Sequence, residues 1–581
     1  MVRIRKATPS LVCKVGSIMP TISVNQDLIA KLLNVHGLKH NIDDVSDQLP
    51  LLGTDIDRCD EDVLDIEIFP NRPDLLSGET LARAIRSFIH HQNTGPELEV
   101  SKGDITMIVD SELKQIRPII LGAVVKNIDL EELGIQSDEF IKSLMDHQEK
   151  LHFALGRGRK KASIGVHDLS TIAPPFRVKA VSGEQKFVPL SMEEPMSINE
   201  ILENHPKGID YAHLLDGFDK FPVIIDSKDN ILSFPPIING NQTTVTASTK
   251  DFFIDVTGWD FRSCEASLML IALQLQELGG SIESINITDC DGEAQVFPNG
   301  KPLEHILPTE MLDGLLGREL NEQELTKSIN RMGGRFISRN SEQIKLEMPR
   351  WRFDILHPVD LVEDIAIGHG FEDLGEDIPR SPMTAKPRSD ANLLRRIRDS
   401  MQGLGMMQIQ SLTLSNDDDQ FNLVRWSNVG EVTRITNPIT IDHTLLRQYL
   451  LPGLLRLLSS NRHHDLPQSV FELGTVVRDH KNSSRLAFLI AERTGGFAAI
   501  RGRIQAFLRD LGASEYEIQS LPDNEGPWLA GRAAKIIVNG NHIGCFGEID
   551  PHVAEHFELK VPMNGAEFCL HEIAKAIPDP V

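Results

Sequence analysis

The sequence predicts an α+β multidomain fold of small mixed α/β modules, and three observations support this. At 581 residues the chain is too long to fold around a single hydrophobic core. Stretches such as "VLDIEIFPNRPDLLSGETLARAIRSFI" join an alternating strand, a Pro-marked turn and an amphipathic helix in one short span. Two polar, Pro-containing passages, "HQNTGPELEVSKGD" and "PRSPMTAKPRSD", separate the apolar regions.

These signals divide the chain into an N-terminal extension at 1–18, an α/β module at 19–98, a larger module at 99–300, a third at 301–385 and a last at 386–581. The extension carries Arg3, Arg5 and Lys6 but only a short apolar stretch and no cleavage site. It therefore reads as a leader-free extension or a start upstream of Met19. In the third module Asn321 and Glu324 have capping-box spacing, and Gly333-Gly334 stops the helix they open. The last module opens on the helix "ANLLRRIRDSMQGLG", and Asn539-Gly540 within "KIIVNGNHIGCFGEI" suits a type I′ hairpin turn. That hairpin context also removes "HIGC" as a nucleotide-binding signature. No internal repeat or low-complexity tract stands out.

With 40% hydrophobic and 25% charged residues the composition is that of a globular protein, and no apolar run is long enough to span a bilayer. Its six cysteines are scattered without a CxxC pair, which points to a reducing cytoplasm and away from structural zinc. A formal charge of −25 argues against a protein that grips nucleic acid alone. The densest basic run, Arg157, Arg159, Lys160 and Lys161, is the exception, and its glycines would let a phosphate backbone approach. A solvated loop explains the same run equally well.

Two other constellations carry chemistry. The stretch "FDILHPVDLVEDIAIGHGFED" places Asp360, Glu363 and Asp364 on one helical face, with Asp354 just upstream. Asp360 as N-cap with Glu363 as its reciprocal partner accounts for much of this, since a helix N-terminus favours acids. A hard cation such as magnesium, held by carboxylate oxygens, is the sharper reading. In "FFIDVTG", Asp255 and Thr257 share one side of a strand, and "LSFPPIINGNQT" offers Ser233 and Asn239 around a rigid Pro235-Pro236 turn. A half-exposed strand and an ordinary loop are the plain alternatives. His152, His167 and Asp168 flank the basic run and read as structural.

Seven blocks, in order, make the chain resemble the beta subunit of archaeal and eukaryotic-type phenylalanyl-tRNA synthetase: "EIFPNRPDLL", "KLHFALGRGRKKASIGVHDL", "LSFPPIINGNQTTVTASTKDFFIDVTG", "VFPNG", "MPRWRFDILHPVDLVEDIAIGHGFEDL", "TLLRQYLLPGLLRLLSSNRHHDLPQSVFELG" and "GEIDPHV". The resemblance implies an α2β2 tetramer, in which an alpha subunit ligates phenylalanine to tRNA(Phe) with ATP in the cytoplasm. It implies that module 99–300 edits Tyr-tRNA(Phe), with Ser233, Asn239, Asp255 and Thr257 lining the pocket and Arg157, Arg159, Lys160 and Lys161 nearer the RNA. It also implies magnesium at Asp354, Asp360, Glu363 and Asp364, and a non-catalytic last module with a degenerate class II synthetase-like antiparallel sheet and helices. That module reads "VFELGTVV" and "NGAEFCLHEIAKAIPDPV" where a working site would carry ATP-binding arginines. The competing expectation is a free-standing trans-editing hydrolase, which would need neither the acidic cluster nor the last module.

Overall fold

The computed structural model describes residues 20–375 and 384–577, apart from 514 and 524. The extension at 1–18 lies outside the described residues, as does the beginning of "PRSPMTAKPRSD". The chain splits into two compact units, Met1–Ile378 and Pro379–Val581.

The first unit opens with a three-stranded antiparallel sheet in which Val63–Ile68 lies between Thr21–Asn25 and Thr54–Cys59. Ile22 and Val24 alternate inward to meet Leu64, Ile66 and Ile68, as a pleated strand requires. Ser77 then caps the helix Gly78–Phe88 by accepting from the Thr80 N–H. This helix is buried on most sides because it packs against a second long helix, Phe261–Glu277. Arg83 and Arg86 on the first helix both reach Glu277 on the second, at 2.9 and 2.6 Å.

The same architecture returns later in the unit. Gln343–Met348 lies between Leu303–Pro308 and Arg335–Arg339, two helices separate the first two strands, and the helix Pro358–His369 follows the third. Even the bulges match, between Ile56 and Arg58 in one copy and between Phe336 and Ser338 in the other. After each central strand an Arg-x-Asp turn folds identically. Arg72 donates to both oxygens of Asp74 at 2.9 and 2.8 Å, and Arg352 donates to both oxygens of Asp354 at 2.9 and 2.6 Å. This internal repeat corrects the reading that none exists. It escapes notice in the sequence because the two copies share little beyond that turn and the apolar pattern around it.

Between the two copies runs a larger sheet, whose centre places Phe252–Gly258 antiparallel to both Ile119–Lys126 and Ala162–Asp168. Helices Ser137–Ala154 and Phe261–Glu277 flank it. A separate small core of Ile198, Ile201, Val223, Phe234 and Ile237 supports the loop that follows Ile231–Phe234.

The second unit is a seven-stranded sheet running Met407–Gln408, Gln468–Arg478, Lys481–Ala491, Met563–Cys569, Asn541–Ile549, Trp528–Val538 and Tyr516–Ser520 in spatial order. All its neighbours are antiparallel except the first pair. Asn539 and Gly540 turn the hairpin with φ of 48° and 76°, the left-handed pair that a type I′ turn demands.

Candidate functional site

A cleft of about 200 Å³ opens in the first unit between the helix Ser137–Ala154, the strand Ala162–Asp168 and the loop after Phe234. Its walls are mostly apolar, including Ile141, Met145, Ile164, Val166 and Ile237. Polar and charged groups are interleaved with them, among them Gln148, Glu149, His152, Arg159, Ser163 and Lys207. Ser233 and Asn239 both line it: the Ser233 hydroxyl donates to Asn239 Oδ1 at 3.2 Å, and Asn239 Nδ2 donates to the Val166 carbonyl at 3.3 Å.

Asp255 and Thr257 do not line the cleft, which corrects that part of the sequence reading. Both are 1% exposed, because the central strand they occupy is covered on its two edges by neighbouring strands and on its face by side chains. Asp255 sits opposite Gly165, where an added Cβ would meet the Asp255 carboxylate at 2.1 Å. From there its Oδ2 meets His167 Nε2 at 2.7 Å, and His167 Nδ1 lies 2.8 Å from Thr243 Oγ1, which does line the cleft. Asp255 thus acts on the cleft wall through two intermediates. Thr257 accepts at its hydroxyl from Arg117 Nε at 2.7 Å and at its carbonyl from Arg117 Nη2 at 2.7 Å, and the same Nη2 reaches the Arg159 carbonyl at 3.0 Å.

The basic run divides. Arg157, Lys160 and Lys161 are exposed, with Lys161 Nζ 3.8 Å from Asp260. Arg159 is buried and structural, a second correction: its guanidinium donates to the Pro236 and Ile237 carbonyls at 3.2 and 2.9 Å, pairs with Glu149 at 2.7 Å, and stacks 4.4 Å from the Tyr211 ring centroid. It ties the helix to the proline wall of the cleft.

Around the acids of the second repeat copy, Arg352 occupies the centre. Its Nη2 lies 2.6 Å from Asp354 Oδ2 and 2.8 Å from Asp364 Oδ1; Arg352 and Asp364 are buried and Asp354 is partly buried. Asp360 turns back to accept the backbone N–H groups of Leu356 and His357, each at 2.7 Å, closing the helix start from its third position rather than serving as the N-cap. Glu363 is exposed on the helix beside it and takes no part in that cap. The quartet is therefore split between one buried and one partly buried acid around an arginine, one cap and one exposed acid. Among the described residues no group of three or more His, Cys, Asp or Glu side chains is gathered for a metal ion. One buried oxygen is left over, since Asp364 Oδ2 has no hydrogen-bond partner. Burial raises the Asp364 carboxyl, whereas Arg352 holds Asp354 low.

A wider cleft of about 410 Å³ lies in the second unit, lined by Ser411, Asp419, Arg447 and Arg456 among others. Its arginines are engaged within the fold. Arg447 pairs with the fully buried Glu472 at 2.7 Å and reaches the Ser411 hydroxyl and the Thr475 carbonyl, while Arg456 pairs with Asp419.

Glu149, His152 and Thr243 line the first cleft, with His167 and Arg117 behind its wall, and sequence reasoning missed all five in these roles. The available signal was spacing: Ile141, Met145, Glu149 and His152 recur along one face of a helix that enters the basic run.

An α+β chain with such a cleft and two linked Arg-x-Asp modules fits a subunit of an aminoacyl-tRNA synthetase, and domain models bear out that class. The B3/4 domain matches residues 128–273, the tRNA synthetase B5 domain 306–371, and the phenylalanyl tRNA synthetase beta chain CLM domain 374–570. The Phenylalanine--tRNA ligase beta subunit of Methanothrix thermoacetophila is 41% identical over 527 residues, covering 90% of this chain and 95% of its own. That of Methanosarcina barkeri is 39% identical over 556 residues, covering 96% and 99%. A crystal structure of an N-terminal fragment of the phenylalanyl-tRNA synthetase beta subunit from Pyrococcus horikoshii superposes with TM-score 0.55 at 33% identity, over 60% of this chain and 99% of the fragment. The chain belongs to the phenylalanyl-tRNA synthetase beta-subunit family.

Proposed function

We propose that this chain works with an alpha subunit, as an α2β2 tetramer in the cytoplasm, to ligate phenylalanine to tRNA(Phe) with ATP, and that its first-unit cleft hydrolyses Tyr-tRNA(Phe). The observation that carries the editing role is the cleft itself, scaled to one amino-acid side chain, with apolar surface interleaved with polar groups that can bind a hydroxyl. Editing is needed because an apolar synthetic pocket rejects an added hydroxyl only about a hundredfold. A second site that rewards the hydroxyl supplies the missing discrimination. Ser233 and Asn239 line this site, Asp255 positions Thr243 through His167, and Thr257 with Arg117 braces the Arg159 segment. Exposed Arg157, Lys160 and Lys161 meet the RNA backbone, and an acidic chain is compatible with that if the partner supplies most of the attraction.

The antiparallel sheet of the second unit is read as a class II-like module without its own ligation chemistry, since Arg447 and Arg456 are already neutralised by Glu472 and Asp419. Asp354, Asp360, Glu363 and Asp364 are the acids proposed for magnesium, with Asp364 as the ligand the fold leaves free, while Asp360 would have to leave its cap and Glu363 turn inward to join it. The unpartnered Asp364 Oδ2 and an all-oxygen donor set suit such an ion, provided Arg352 gives up one carboxylate. When bound, the ion would neutralise an acid excess that one arginine leaves uncompensated. The direct test is deacylation of preformed Tyr-tRNA(Phe) by the chain co-purified with its alpha partner. Hydrolysis well above the uncatalysed rate is expected, and none would overturn the editing role.

A further inference from the structure

His152 and Glu149 both line the cleft, and the 3.7 Å gap between His152 Nδ1 and Glu149 Oε2 is bridged by no hydrogen bond. The Ile164 backbone N–H donates to His152 Nε2 at 2.8 Å, so that nitrogen must carry a lone pair. Burial lowers the His152 pKa, which keeps the ring neutral, and its single proton therefore sits on Nδ1. That N–H is buried and has no hydrogen-bond partner. Glu149 Oε2 stands 3.7 Å from it, too far for a direct bond. The other Glu149 oxygen is occupied by Arg159 at 2.7 Å and Lys207 at 3.4 Å, so the carboxylate is fixed in place with Oε2 toward the histidine.

The gap thus offers one donor and one charged acceptor side by side. A hydroxyl group matches both at once, because its oxygen accepts and its proton donates. Ile141 and Met145 precede Glu149 and His152 on the same helix face and line the same cleft, so an aromatic ring has apolar surface leading to the polar pair. A ring without a hydroxyl would bury the pair and leave it unsatisfied, which disfavours phenylalanine there.

Resting on the editing role proposed above, we infer that His152 and Glu149 are the specificity determinants that read the para-hydroxyl of a misattached tyrosine. His152 Nδ1–H donates to the phenol oxygen, and the phenol O–H donates to Glu149 Oε2. The terminal ribose of the tRNA also carries hydroxyls, and the experiment separates the two sources.

Single-turnover deacylation of Tyr-tRNA(Phe) and Phe-tRNA(Phe), with the enzyme assembled from both subunits in excess, gives the tyrosine-over-phenylalanine preference. Glu149→Gln keeps the shape and the Arg159 contact but replaces the acceptor, and at a half-exposed site it leaves the fold intact. His152→Ala provides the second variant, with its melting temperature measured alongside. We expect the preference to fall roughly tenfold or more in each, almost wholly through slower Tyr-tRNA(Phe) hydrolysis. An unchanged preference in Glu149→Gln, or equal losses toward both esters, would overturn the inference; equal losses would assign the gap to the shared ribose. If wild-type enzyme fails to hydrolyse Tyr-tRNA(Phe) at all, the editing role itself falls.

Discussion

Asp364 gives one carboxylate oxygen to Arg352 at 2.8 Å and leaves the other buried without a partner. Arg352 is shared with Asp354 at 2.6 Å, so one buried and one partly buried acid depend on one cation. Removing the cation leaves both charges uncompensated, and Arg352→Ala is expected to cost about 3–5 kcal/mol of stability. Denaturant unfolding of the full chain checks it. A loss within about 0.5 kcal/mol of wild type, typical of a surface change, would show that the node carries little.

The same node bears on magnesium. In the assembled enzyme, Asp364→Asn should weaken magnesium binding measured by titration calorimetry, by about tenfold or more if a direct ligand is lost. Glu363→Gln tests whether the exposed acid joins the set. Unaltered binding in both variants would place the ion elsewhere.

The relay behind the cleft predicts an indirect effect. Asp255→Ala removes one hydrogen-bond partner of His167 and loosens its hold on Thr243, whose hydroxyl then keeps only the Gly240 carbonyl as a fixed partner, so Tyr-tRNA(Phe) hydrolysis should drop strongly although Asp255 does not line the cleft. Gly165→Ala should act on the same relay, since its methyl group would press on Asp255 and His167. Hydrolysis at the wild-type rate in both variants would separate the relay from the reaction.

Arg159 and its neighbours should behave differently on tRNA. Removing the exposed pair in Lys160→Ala/Lys161→Ala should flatten the salt dependence of tRNA binding by about 0.7 for each phosphate that is no longer neutralised, as for single-stranded RNA. Arg159→Ala should leave that slope nearly unaltered and impair hydrolysis, because it releases the Pro236 and Ile237 carbonyls. Filter binding across a salt series distinguishes them.

Stability should also pass through a maximum with pH. Glu79 is buried with only neutral donors, Ser143 and Gln274, and burial raises its carboxyl; its contribution is present at low pH and lost as pH rises through its folded value. His147, which meets Gln274 at 2.8 Å, is pushed down to about 4 by burial. Its contribution is present above about 6.5 and is lost as pH falls toward about 4, by up to roughly 3 kcal/mol. Glu79→Gln should flatten the alkaline side and His147→Gln the acid side in melts taken across pH. Identical profiles in all three proteins would contradict this.

Much of the fold was legible because its signals are local. The Asn321 capping box, the Asn539-Gly540 hairpin and the alternation in "VLDIEI" all depend on neighbouring residues. The internal repeat was not, since Arg72 and Asp74 resemble Arg352 and Asp354 only once their turns are seen to fold alike. In the cleft, Ser233 and Asn239 were readable from their rigid loop, but the burial of Asp255 depends on two flanking strands from distant sequence. Arg159 looked like its basic neighbours because one-residue spacing says nothing about which side chain turns inward. His152 and Glu149 needed the tautomer imposed by the Ile164 N–H, a hydrogen bond that no spacing rule encodes.

The most direct test of the central claim is reconstituted aminoacylation. Purified chain, purified alpha partner and their mixture are each given phenylalanine, ATP and tRNA(Phe), and Phe-tRNA(Phe) is measured. We predict formation by the mixture and none by this chain alone; charging by this chain alone would contradict the account.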